Sequence, residues 1–75
     1  MPLSDYELEM VRLIDTQVAL LRQKKATDAV ILVTLADFVP EVRCLAQANN
    51  QIALELLQQP YPDFYHFFQL LTQFA

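Results

Sequence analysis

The 75 residues of this chain include no glycine, where an average domain of that length carries about five. Glycine supplies the positive φ angles of tight hairpins and lets the backbone approach a bound phosphate closely. Its absence excludes the P-loop, the dinucleotide-binding fingerprint and the EF-hand calcium loop, each of which needs glycine at a fixed place. Cysteine is nearly absent as well. Cys44 stands alone, so no intrachain disulfide can form. With a single histidine, His66, a structural zinc site cannot be assembled from this chain by itself.

Positive charge is scarce and confined. The five basic residues, Arg12, Arg22, Lys24, Lys25 and Arg43, all precede Cys44, and the net charge is −4. The C-terminal stretch carries only Glu55 and Asp63. Phosphate neutralisation needs Lys or Arg, so neither nucleic acid nor a membrane surface is expected as a partner. The longest apolar stretch, broken only by Thr34, ends at Asp37, well short of the ~20 residues a membrane span requires. An acidic start and an unpaired thiol favour a reducing, cytoplasmic setting.

What the chain has in abundance is apolar surface: 55% of its residues are hydrophobic. Below ~70–80 residues a single core rarely supplies more than about 3–5 kcal/mol, and small domains recruit disulfides, metals or a second chain. The first two are excluded within this chain, which leaves self-association or a partner protein.

The first helix is the best marked. Ser4 and Glu7 form a capping box, and Leu3 with Leu8 can make the hydrophobic staple. Asp5, Glu7 and Glu9 lie at the positive end of the helix dipole, and Arg22, Lys24 and Lys25 at its negative end. A helix is expected over about 4–25. Val11, Ile14, Val18 and Leu21 form an apolar stripe, which Met10, Leu13 and Leu20 widen to about half the circumference. That width predicts more than one helical neighbour.

Residues 29–39 are apolar almost all round. Val30, Ile31, Leu32 and Val33 also suit a buried strand, but no partner strand or hairpin turn exists elsewhere, so helix is favoured. A helix apolar on every side must be buried on every side, a second argument for a dimer. Leu35, Phe38, Val42, Leu45, Asn49, Ile52 and Leu56 keep 3-4 spacing across Pro40. This register predicts one helical path over about 28–59, bent at Pro40. A break at Asn49-Asn50 is the competing reading. If the register holds, Asn49 lies on the apolar seam, where it can pair across a two-fold axis and set oligomer number. Otherwise it belongs to an exposed turn.

Pro60-Tyr61-Pro62 makes a stiff connector, and Asp63 reads as the N-cap of a last helix over about 63–75. Phe64, Phe67, Phe68, Leu71 and Phe74 lie on one face of it, with Leu70 at the edge. The fold class is therefore all-α: one domain spanning 1–75, a small bundle of three to four helices completed by homodimerisation.

Candidate chemistry is thin. Cys44 and His66 are the one thiol–imidazole pair, but Cys44 reads as a small buried hydrophobe. Asp63 and His66 can offer two metal ligands where a site needs more. Ser4 is the sole serine and is already a cap. Asp37 and Glu41 are four apart and more readily pair with Arg43 or Arg12 than form a catalytic dyad. No catalytic residue, cofactor or metal is expected.

The phenylalanine stripe reads as core. Its sharper alternative is a partner-binding groove bordered by Tyr61 and Tyr65, since interface centres are rich in aromatics and poor in charge. The sequence thus predicts a non-enzymatic interaction module, such as an adaptor, inhibitor or chaperone, acting as a homodimer. Its interface would be drawn from Leu35, Phe38, Val42, Leu45, Asn49, Ile52, Leu56, Tyr61, Phe64, Phe67, Phe68 and Leu71. The alternatives are an apolar small-molecule or lipid binder and a helical regulator of transcription, for which Gln51 to Gln59 lacks basic residues.

Overall fold

The structure is a computed structural model that describes residues 4–48 and 54–74. Among these residues lie four α-helices and no strand: α1 (Asp5–Gln23), α2 (Asp28–Thr34), α3 (Val39–Ala48) and α4 (Pro62–Phe74). Short 3-10 turns at Ala36–Phe38 and Leu56–Gln58 join them. The expected all-α class is the one observed.

Helix α1 begins as its sequence dictates. The Glu7 N–H donates to Ser4 Oγ at 3.2 Å, and the Ser4 N–H donates to Glu7 Oε1 at 2.9 Å. Leu3, the outer half of the expected staple, lies outside the described residues. At the other end the helix stops without glycine. Lys25 takes φ 61, its N–H bonds the Arg22 carbonyl, and the Ala26 N–H reaches back to the Leu21 carbonyl at 3.0 Å. These two bonds make a Schellman motif, here built on a lysine in the left-handed region that costs a Cβ-bearing residue about 1–2 kcal/mol. Ala26 and Leu21 both pack against the core, supplying the apolar contact that accompanies the motif.

Thr27 then caps α2 by accepting from the Val30 N–H. The expected continuous path over 28–59, bent at Pro40, is corrected here. Helix α2 ends at Thr34, and the Phe38 N–H bonds the Leu35 carbonyl in a 3-10 turn before α3 starts at Val39. The cause is Pro40. A continuous helix would need its N–H to bond the Ala36 carbonyl, but proline has none and its ring crowds that carbonyl. The chain tightens ahead of the proline and restarts, which leaves Pro40 in the first turn of α3, where an N–H has no helical partner to lose.

Asp63 is not the cap of α4, which is the second correction. The helix starts one residue earlier, at Pro62, and its capping carboxylate comes from α1. The N–H groups of Asp63 and Phe64 both donate to Asp15 Oδ1 at 3.0 Å. The Tyr61 N–H bonds the Leu57 carbonyl at 2.8 Å, and Pro62 has no N–H to satisfy. Every donor of the first turn is thereby accounted for. Arg22 adds an ion pair to Asp63 at 2.7 Å, and His66 Nε2 lies 3.1 Å from Asp28 Oδ1 on α2.

One apolar core joins all four helices. It takes Met10, Val11, Ile14 and Val18 from α1, Ile31 and Leu35 from α2 and its C-cap, and Val42 and Leu45 from α3. Leu54 and Leu57 follow, then Phe64, Phe67, Phe68 and Leu71 from α4. No polar or charged side chain is buried among the described residues.

The all-round burial expected of segment 29–39 is not met within this chain. Ile31 and Leu35 are buried, whereas Val33 is 76% exposed and Val30 47%. The neighbours reach only one side of this short helix. Of the residues that widen the stripe of α1, Met10 is buried, while Leu13 and Leu20 stay about half exposed.

Candidate interaction surface

The residues that the sequence nominates for a partner fall into three groups. Leu35, Val42, Leu45, Phe64, Phe67, Phe68 and Leu71 are buried in the chain's own core, and Phe38 and Tyr61 pack against it half-buried. The phenylalanine stripe is therefore core. Its spacing on one helix face is what allows α1 to cover it, and α1 is the main neighbour of α4. Asn49 and Ile52, together with the side chain of Phe74, lie outside the described residues, so the seam reading of Asn49 does too. Leu56 is 71% exposed while Leu54 and Leu57 are buried. The 3-4 register thus fails at Leu56: among the described residues of this stretch, it is Leu54 and Leu57 that are buried.

Part of the surface left open lies between the N-terminal half of α1 and the segment around Pro40. A cavity of about 320 Å³ lies between Tyr6, Glu7 and Met10 of α1 and Pro40, Glu41, Cys44 and Leu45 of α3. A second, of about 400 Å³, is lined by Tyr6, Glu9, Met10 and Leu13 of α1 with Phe38 and Glu41 opposite. The two share Tyr6, Met10 and Glu41, so they form one trough with an apolar floor and a carboxylate rim. Other openings lie elsewhere. Phe68, Leu71 and Val42 reach a cavity between α3 and α4, and Val30 and Val33 edge a shallow one on α2.

Tyr6 is 70% exposed and is shared by both cavities, yet sequence reasoning did not single it out. The signal was available: Tyr6, Met10, Leu13, Gln17 and Leu20 follow 4-3-4-3 spacing. It overlaps the core stripe at Met10, which hid it.

The remaining candidates for chemistry are dispersed by the fold. Cys44 is exposed, which corrects its reading as a buried hydrophobe; it sits on the trough wall because α3 turns its buried face, Val42 and Leu45, inward. Asp63 and His66 are engaged separately, by Arg22 and Asp28. Arg12 binds Glu9 at 2.7 Å instead of Asp37 or Glu41, because Glu9 stands one turn away on the same helix. Among the described residues, no ion pair involves Asp37, Glu41 or Arg43, and no group of three or more His, Cys, Asp and Glu side chains gathers to hold a metal. No helix of the described residues is long and apolar enough to cross a membrane. The arrangement offers shape, apolar contact and a negative rim. Comparison with protein families, curated proteins and solved structures finds no match, so the functional reading of this chain rests on its own residues.

Proposed function

We propose that the chain is a non-enzymatic protein-interaction module that works as a homodimer through apolar helix-in-groove contacts, as small adaptors, inhibitors and chaperones do. The observation that carries this reading is the trough on α1 and the Pro40 segment. Its apolar side chains, Tyr6, Met10, Leu13 and Phe38, converge from two parts of the chain on a concave surface that no described residue fills. Exposed Leu20, Val30, Val33 and Leu56 add to the apolar surface that folding leaves open. An apolar depression rimmed by polar side chains is what an association surface supplies.

Absolute mass in solution, measured by light scattering after size exclusion over a wide concentration range, tests the reading. A mass of twice the chain is expected throughout the micromolar range. A monomer at every concentration overturns the homodimer. A second reading, an apolar small molecule held in the trough, is favoured by its apolar floor. Native mass spectrometry that finds bound mass of less than about one kilodalton on a monomer would select it.

A further inference from the structure

Helix α1 carries two apolar stripes, and the fold uses one. Val11, Ile14 and Val18 are fully buried. Tyr6, Leu13 and Leu20 recur every seven residues and are 70%, 48% and 47% exposed. At 100° per residue this second stripe lies roughly 140° around the helix from the first. With Met10 and Gln17 it has the 4-3-4-3 spacing of a coiled-coil seam. A core-facing stripe explains the buried residues and leaves this seam unexplained.

The cavity beside it has a particular shape. Its α1 wall, Tyr6, Glu9, Met10 and Leu13, stands at i, i+3, i+4 and i+7, the diamond of four residues that receives one knob from a facing helix. Phe38 closes the far side. A leucine side chain fits the opening with room to spare.

Resting on the homodimer reading, the geometry points to its interface: two copies of α1 pack antiparallel, with Leu20 of the second copy seated in the Tyr6–Glu9–Met10–Leu13 hole. The register is self-consistent. Placing Leu20 there puts Leu13 of the second copy into the next diamond, Leu13, Thr16, Gln17 and Leu20, and the two-fold axis repeats both contacts in reverse. Charge selects the same arrangement independently. In this register Asp5 lies level with Lys24 and Lys25 of the second copy. None of Asp5, Lys24 and Lys25 enters an ion pair among the described residues, whereas Arg22 is already held by Asp63. A parallel pair would instead set acid against acid and base against base. The antiparallel pair also aligns the helix dipoles favourably.

The test is the dimer dissociation constant, Kd, at low salt, where exposed charge pairs are least screened. It is read by light scattering and sedimentation on the full chain with three variants. Leu20→Glu is expected to raise Kd at least about thirtyfold, the size of an interface hot spot, with unchanged helix content by circular dichroism. Asp5→Lys alone is expected to weaken the dimer about three- to tenfold, and adding Lys24→Asp and Lys25→Asp to restore it. These charge changes lie on the exposed surface, so they decide the matter even if Leu20→Glu folds poorly. A wild-type dimer that ignores Leu20→Glu and shows no coupling between Asp5 and the lysines overturns this interface while the homodimer stands. An Asp5→Lys dimer no weaker than the wild type would overturn it too, because in a parallel pair the substitution only exchanges one like-charge contact for another. A wild-type monomer overturns both readings.

Discussion

In α4 the apolar residues lie on one face, and Phe64, Phe67 and Phe68 are all buried; in α2 they ring the helix, and Ile31 is the one residue buried. Judged by composition the shorter helix has the stronger claim to the interior. What decides burial is whether a neighbour can reach the residue. A stripe can be covered by one helix, as α1 covers α4. A ring needs neighbours on every side, and a chain of 75 residues does not supply them for a helix of two turns. The lesson is that one-sidedness organises a core, while hydrophobicity without direction leaves surface.

This contrast can be broken by mutation. The largest effect is expected from Phe67→Ala, at about 3–5 kcal/mol. That is comparable with the whole stability of a domain this small, so urea denaturation of the variant should find it largely unfolded without denaturant. Ile31→Ala on α2 should cost about 2–4 kcal/mol, showing that α2 does anchor through the one position that faces inward. Asp15→Ala, which strips both N–H bonds from the start of α4, is expected to cost about 1–3 kcal/mol. Asp15→Asn, which keeps an acceptor oxygen, should lose less, and thermal unfolding of the pair separates the cap from the rest of the side chain. Lys25→Gly should stabilise by about 0.5–1 kcal/mol through relief at φ 61. The smallest effect, within about 0.5 kcal/mol, is expected from Val33→Ser at the exposed side of α2. A loss there as large as that of Ile31→Ala would erase the contrast.

Much of this fold was legible because its signals are local. Ser4 and Glu7 declared the start of α1, and the 3-4 spacing of Phe64, Phe67, Phe68 and Leu71 declared the buried face of α4. Pro40 was harder. Its effect is local, but an apolar register running through it from Leu35 to Leu45 suggested a bent helix, and both ends of that register are indeed buried on either side of a real break. Asp15 was not legible at all. It looks like any polar residue on α1, and its role as the cap of α4 exists only once the two helices meet. The trough was hidden for a related reason: Met10 belongs to the core stripe and to the outer seam together, so reading the first masked the second.

The Asp15 cap has a consequence for the order in which the chain assembles. Helix α1 has its terminal groups met from within, by the capping box at one end and the lysine-based Schellman motif at the other. Helix α4 borrows, donating its N-terminal N–H bonds to a carboxylate 48 and 49 residues earlier in the chain. Synthesis runs from α1 toward α4, so the receiving carboxylate is in place before the helix that needs it leaves the ribosome. Until α4 docks, the apolar face of α1 has no cover from its main neighbour, and the newly made chain passes through an interval in which the arrival of α4 decides whether that face closes or meets another chain.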